Sequence, residues 1–193
     1  MRLVKFLILG VFMGALASPA LAQDTTTGDP LQPVPPSGFR FGGLFGQNTL
    51  TSDPGDGGQN GFGFAASISY KIQDAVALDL RYLIANHSET DHREISFGGD
   101  YYFGNFEQAF PYASLGIALL NNNLRKFSRN GDAAGAYIGV GVEYDIYPTL
   151  RLGPEFRYMK AFTAQANLSG REINSVADSY ALMIRLLYSL PGN

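Results

Sequence analysis

Eight segments of this chain alternate between apolar and small or polar residues, and this alternation restricts its possible folds more than any other feature. The period is two from Gly38 onward, which is typical of β-strands with two different faces and not of helices. The sixth segment is the clearest example, with apolar residues at Ala136, Ile138, Val140, Val142, Tyr144 and Ile146. None of the eight apolar faces carries a charged residue, whereas the interleaved faces carry charges of both signs. The pattern predicts an all-β domain over residues 38–193.

The links between the eight segments alternate between short and long. The short links run over 73–74, 104–108 and 147–149, and the long polar links over about 50–61, 86–93, 120–133 and 163–175. In an antiparallel barrel, this order places every long loop at one end and both termini at the other. Outer-membrane barrels have this plan, with short periplasmic turns and longer extracellular loops. We therefore predict an eight-stranded, antiparallel, up-and-down transmembrane β-barrel.

Alternation alone does not say which face points into the barrel, because a soluble lipocalin-like barrel would direct its apolar face inward around a ligand. Two features favour an apolar exterior in contact with lipid. The polar face holds many glycines, which fit the crowded interior of eight strands. Lysine, which helps to keep a water-facing surface soluble, occurs after residue 22 only at Lys71, Lys126 and Lys160. We expect tyrosines at both membrane interfaces, with Tyr70, Tyr101, Tyr144 and Tyr188 on the periplasmic side and Tyr82, Tyr158 and Tyr180 on the extracellular side.

The first 37 residues have the composition of targeting and linker segments. Two basic residues precede an apolar run over 6–17, and Ala20-Leu21-Ala22 forms a small-residue cleavage site. This arrangement predicts a signal peptide over 1–22, with an uncleaved anchor as the alternative. Residues 23–37 contain four prolines and no apolar periodicity, which predicts an extended periplasmic linker before the barrel at 38–193.

Composition and motif spacing argue against several classes of function. The formal net charge is −3, so the chain lacks the basic surface typical of nucleic-acid-binding proteins. There is no cysteine, which excludes disulfides, a thiolate nucleophile and cysteine metal sites. Gly135, Gly139 and Gly141 lie within a strand pattern, where neither a nucleotide-binding motif nor a helix-packing motif has its required context. We predict no cofactor, no metal site and no catalytic residue.

A polar cluster in the second long link offers an alternative, an enzyme acting on outer-membrane lipids. The cluster contains His87, Ser88, Glu89, Asp91 and His92. A nucleophile and its base must be held about 2.6–3.2 Å apart by a third, orienting group. Neighbouring histidine and serine residues on a flexible loop have no such frame, and their spacing matches no standard metal site. We therefore interpret the cluster as a solvated loop.

Three stretches of the strand region resemble the OmpA-like outer-membrane β-barrel family. They are 111–117 (PYASLGI), 139–144 (GVGVEY) and 150–158 (LRLGPEFRY), and the likeness extends over nearly all of residues 38–193. The resemblance implies an eight-stranded barrel in the outer membrane of a Gram-negative bacterium. It also implies that the barrel-assembly machinery inserts the chain.

Eight charged residues fall near the middle of the predicted interior face, four of each sign. They are Arg40, Asp79, Arg81, Asp100, Glu143, Glu155, Arg157 and Arg185. An isolated buried charge is very costly, so equal numbers favour mutual pairing. An eight-stranded barrel also leaves an interior just wide enough for side chains. We favour a packed network that fills and stiffens the barrel, with a gated ion path as the alternative.

Arg125, Lys126 and Arg129 give the third long link a basic tip at the level of lipopolysaccharide phosphates. They are candidate lipopolysaccharide contacts, and a hydrated loop is the alternative. The function favoured by all these patterns is structural or surface-exposed: membrane integrity, adhesion or ligand contact through extracellular loops. A small porin-like channel is the second hypothesis, and a lipid-modifying enzyme is the third.

Overall fold

A computed structural model describes residues 38–51, 58–125, 129–162, 165–168, 171–174 and 177–190, and these residues form ten β-strands. The strands are β1 (Phe39–Leu50), β2 (Gln59–Gln73), β3 (Val76–His87), β4 (Thr90–Tyr102), β5 (Ala109–Leu124), β6 (Arg129–Tyr147), β7 (Leu150–Phe162), β8 (Gln165–Leu168), β9 (Arg171–Asn174) and β10 (Ser179–Ser189). In this part of the chain, no helix has the length and apolar character needed to cross a membrane. The predicted signal peptide (1–22) and linker (23–37) lie outside the described residues.

Eight of these strands form a closed barrel in the order β1-β10-β7-β6-β5-β4-β3-β2. Each barrel strand is antiparallel to both of its neighbours, and β1 closes the sheet by pairing with β10. A closed sheet leaves no unpaired backbone edge, which is the condition for crossing hydrocarbon as strands. β8 and β9 form a separate hairpin in the segment between β7 and β10. The prediction of an eight-stranded antiparallel barrel is confirmed.

The two faces of the sheet differ as the alternation predicts. Outward side chains are large and apolar, and Phe64 and Ile138 are 62% and 64% exposed. Inward side chains are glycines, small residues and charged groups, and Asp79 and Arg185 are each only 1% exposed. A lipocalin-like barrel would have the opposite arrangement, so that alternative is contradicted. All seven tyrosines predicted for the membrane interfaces lie on the outer face: Tyr70, Tyr82, Tyr101, Tyr144, Tyr158, Tyr180 and Tyr188.

The strands extend further at the extracellular end than the sequence analysis predicts. β3 and β4 stay paired through most of 86–93, the second predicted loop, and leave only a turn at 88–89. β5 and β6 likewise stay paired through most of 120–133, the third predicted loop. Above the apolar band, outward residues meet water and are polar, as in the pair of Asn86 with Asp91. Both predicted loops are too long. The polar residues there show where the strands leave the membrane, and the strands continue beyond that point.

Aromatic rings inside the barrel occupy space that glycines leave open. The Tyr112 ring covers Gly141, where an added Cβ would lie 2.5 Å from the ring carbon Cζ. The Tyr137 ring covers Gly116 in the same way, with its Cε1 atom 2.6 Å from an added Cβ. These glycines therefore allow close approach of a ring in a narrow interior.

The substitution Gly141→Ala is expected to lower the free energy of unfolding by about 1–3 kcal/mol, as overpacking usually does. The added methyl group would displace the Tyr112 ring, which is almost fully buried. Gly43→Ala is the matched control, because Gly43 lies on the outer face and an added Cβ there has no atom within 4 Å. Urea unfolding of both variants in lipid measures the difference. Equal stability would mean that the interior yields to the methyl group at little cost.

Candidate functional site

The centre of the barrel interior is occupied by Arg185 of β10. Its Nη1 atom donates to Asp100 Oδ2 at 2.8 Å, and its Nη2 atom donates to Asp79 Oδ1 at 3.0 Å. Glu143 and Glu155 each place a carboxylate oxygen 3.6 Å from Nη1. One guanidinium on β10 therefore faces four carboxylates, which come from four other strands: β3, β4, β6 and β7.

A second arginine, Arg81 of β3, binds a carboxylate through two nitrogen atoms. Its Nη1 and Nη2 atoms donate to the two oxygens of Glu155, the second at 3.0 Å, and its Nη2 atom lies 3.3 Å from Asp79 Oδ2. The Tyr112 hydroxyl donates to Glu155 Oε2 at 2.8 Å. Paired, charge-assisted bonds of this kind are among the strongest in proteins and hold their partners in one geometry.

Towards the periplasmic end, a tyrosine connects an arginine to a glutamate. Arg40 Nη1 donates to the Tyr102 hydroxyl at 2.9 Å, and that hydroxyl donates to Glu143 Oε1 at 2.9 Å. Arg151 lies 3.5 Å from Glu143 and stacks over the Phe110 ring, with its Cζ atom 3.7 Å from the ring centroid. Three strands, β1, β4 and β6, are thereby linked through a single chain of hydrogen bonds.

Towards the extracellular end, Arg157 of β7 pairs with Glu94 of β4 at 2.7 Å. The Arg157 guanidinium also lies over the Tyr137 ring, 3.6 Å from its centroid. A gap of about 10 Å³ borders this pair, which is room for about one water molecule.

The described interior thus contains five arginines and five carboxylates, and each has an oppositely charged partner within 4.0 Å. They are Arg40, Arg81, Arg151, Arg157, Arg185, Asp79, Glu94, Asp100, Glu143 and Glu155. All eight residues predicted for the interior are among them. Pairing matters here because removing one partner leaves the other charge buried without compensation.

Sequence reasoning missed Glu94 and the two histidines of the same region. The error follows from assigning 86–93 to a loop, since inward residues of β4 are the even-numbered ones and Glu94 shares that parity. His87 Nε2 lies 3.1 Å from Asn48 Oδ1, and His92 Nδ1 lies 2.6 Å from Asn122 Oδ1, both inside the barrel. The interpretation of this cluster as a solvated loop is therefore wrong for the histidines. Among the described residues, no three histidine or carboxylate side chains are arranged to hold a metal ion.

The predicted basic tip is only partly described. Arg125 forms an exposed ion pair with Asp91, and the hydrogen bond from Arg125 lowers the pKa of the Asp91 carboxyl below its usual value. Lys126 lies outside the described residues, as does the side chain of Arg129. Arg125, the only one of the three with a described side chain, is therefore already paired with a carboxylate of β4.

Comparison with known proteins gives a family match over most of the chain. Residues 8–178 match the family model described as the outer membrane protein beta-barrel domain. No curated protein matches the sequence.

Several solved structures share the fold. Neisserial surface protein A (NspA) aligns with a TM-score of 0.60 and 17% identity, over 80% of this chain and 98% of that chain. The N-terminal barrel domain of Pseudomonas aeruginosa OprF aligns with a TM-score of 0.58 and 18% identity, over 79% of this chain and 97% of that chain. OprG from Pseudomonas aeruginosa aligns with a TM-score of 0.52 and 14% identity, over 80% of this chain and 98% of that chain. The closed eight-stranded barrel, its apolar exterior and the family match together show that the chain belongs to the outer membrane protein beta-barrel domain family and resides in the bacterial outer membrane.

Proposed function

We propose that this protein is a structural barrel with a closed interior, which stiffens the outer membrane locally and presents its extracellular turns at the cell surface. The observation that carries the proposal is the interior network, which connects side chains from seven of the eight barrel strands. The connected strands are β1, β3, β4, β5, β6, β7 and β10. These links add connections across the lumen to the backbone pairing between neighbouring strands.

The geometry of the network supports a closed interior and not a permanent pore. Arg185 is fully buried and is surrounded by carboxylates and by the Tyr112 ring, whose centroid lies 5.3 Å from its Cζ atom. Above it, Arg157 and Glu94 border a gap that holds about one water molecule. An ion would have to separate at least two of these pairs to cross the barrel, and each separation exposes uncompensated charge.

The arrangement also supports a role without catalysis. His87 is buried and contacts Asn48, whereas Ser88 is exposed in the turn between β3 and β4. A serine nucleophile would need a base within hydrogen-bonding reach and a third group to orient that base.

The substitution Arg157→Ala is expected to reduce stability while leaving conductance at background. Loss of the Glu94 ion pair should lower the free energy of unfolding by about 3 kcal/mol, the lower end of the range for removing one partner from a buried ion pair. Urea unfolding measures the first effect, and single-channel recording in planar bilayers measures the second. Arg157→Lys keeps the charge at this position and serves as the control.

Two results would contradict the proposal. Steady single-channel current through the wild-type protein would favour the porin-like channel. A large increase in current for Arg157→Ala without loss of stability would show that the pair gates a path and does not hold the barrel together.

A further inference from the structure

The outer wall of the barrel has a recess at its extracellular end, where β3, β4, β5 and β6 lie side by side. Its volume is about 770 Å³. Ala134 forms the floor, because this small residue lies between the larger Leu119 on β5 and Phe162 on β7. The outward side chains that line the recess are Tyr82, Arg93, Ile95, Leu119, Asn121, Asp132 and Ala134.

The recess spans the upper boundary of the apolar band. On the β4 side of the wall, Phe103 is exposed at the periplasmic end and Arg93 is exposed ten residues away at the extracellular end. At a rise of about 3.4 Å per residue and a tilt of about 40°, ten residues climb roughly 26 Å. The apolar band of such barrels is about 25 Å tall. Arg93 therefore lies where hydrocarbon gives way to the headgroups of the outer leaflet.

Among the described residues, Arg93 has no carboxylate within 4.0 Å, whereas Arg125 and Arg157 each have one. Of the two carboxylates near it on the outer face, Asp91 has a cationic partner, whereas Asp132 has an amide donor and keeps its negative charge. Asp91 pairs with Arg125, and Asp132 Oδ1 accepts a hydrogen bond from Asn121 Nδ2 at 2.6 Å. The charge of Arg93 is thus available to an anion from outside the protein.

We propose that this recess binds one lipid A molecule, with a lipid A phosphate on the Arg93 guanidinium and acyl chains against Ile95, Leu119 and Ala134. The planar guanidinium matches phosphate oxygens through paired N–H donors. The apolar floor continues directly below the cation, so a ligand must be both anionic and acylated to satisfy both parts. A lipid with several acyl chains also suits a recess that extends across four strands.

The proposed site differs from the loop contacts predicted from the sequence. Those contacts relied on Arg125, Lys126 and Arg129, and Arg125 is already paired with Asp91. Arg93 lies on a strand whose backbone is hydrogen-bonded on both sides, so its position is fixed more firmly than that of a loop residue.

The test is lipid retention by the full chain in nanodiscs, with diphosphorylated lipid A as the probe and native mass spectrometry as the readout. We expect one lipid A per wild-type barrel and about tenfold weaker retention by Arg93→Ala, a typical effect of losing one charge-assisted bond. Ala134→Leu, which fills the floor and leaves Arg93 intact, should also weaken retention. Lys160→Ala is the control and should retain lipid A like the wild type, because Lys160 is an exposed cation that pairs with Asp178 and does not line the recess. The mobility of unboiled samples confirms that each variant is folded.

Several outcomes would overturn the site. Unchanged retention by both Arg93→Ala and Ala134→Leu would do so, as would an equal loss caused by Lys160→Ala. Equal retention of lipid A without phosphates would show that Arg93 does not bind the anion. Equal retention of phosphatidylglycerol would show that the recess takes any acidic lipid and would reject the assignment to lipid A. None of these readouts depends on conductance, so the proposed function and this site can fail separately.

Discussion

Replacing Arg185 with alanine is expected to lower the free energy of unfolding by about 3–5 kcal/mol, the usual result of removing one partner from a buried ion pair. Arg185 is fully buried, with Nη atoms 2.8 Å from Asp100 and 3.0 Å from Asp79. The substitution leaves both carboxylates without their closest cation in a region that bulk water does not reach. Urea titration in lipid measures the loss, and the mobility of unboiled samples gives a second readout.

The control for this prediction is Arg125→Ala, which removes the same side chain from an exposed pair at the rim. Exposed ion pairs contribute little to stability, so no measurable change is expected there. Adding Asp100→Asn to Arg185→Ala should restore part of the lost stability, because it removes one of the uncompensated charges. A variant Arg185→Ala as stable as the wild type would mean that the central pairs do not hold the barrel together.

The substitution Leu115→Arg is expected to destabilise the inserted barrel by about 2–4 kcal/mol, the cost of an arginine on the lipid face near the middle of the membrane. Leu115 is 58% exposed on the outer face of β5, and its cross-strand neighbours are Gly99 and Ile138. No carboxylate is available on that part of the described outer face to neutralise a new cation. Urea unfolding in vesicles measures the effect.

Asn123→Arg is the matched control on the same strand and the same face. It lies opposite Asp91 above the apolar band, where an arginine costs about 0–1 kcal/mol. A larger loss of unfolding free energy for Leu115→Arg than for Asn123→Arg would show that Leu115 lies deeper in the membrane. Equal losses at the two positions would contradict the assignment of the apolar face to lipid.

The fold could be predicted from the sequence because its determinant is local. The two-residue period places Ile138 and Gly139 on opposite faces. The glycines of one face and the scarcity of lysine then favour the apolar face as the lipid side. The strand ends could not be predicted in this way. Asn86 and Asp91 are polar because they project above the membrane, and their composition is the same as that of a loop.

Eight of the ten charged residues of the interior network were predictable from the sequence, and Glu94, Arg151 and the pairing were not. Arg81 and Glu155 share the inward parity of their strands, which places both in the lumen. Their contact across the barrel depends on the stagger between strands, a property of the whole closed sheet. The recess on the outer wall was missed for a similar reason, since Arg93 and Ala134 become neighbours of one surface only when four strands are aligned.

Arg185 lies on β10, the strand that closes the ring by pairing with β1, so its ion pairs depend on closure of the barrel. Its two partners, Asp100 and Asp79, precede it by 85 and 106 residues. A sheet without β10 would leave Asp100 without its ion-pair partner, whereas Asp79 would keep Arg81 at 3.3 Å. Pairing of β10 with β1 therefore closes the ring and neutralises Asp100 together, so we expect a chain that ends before β10 to leave this carboxylate unpaired.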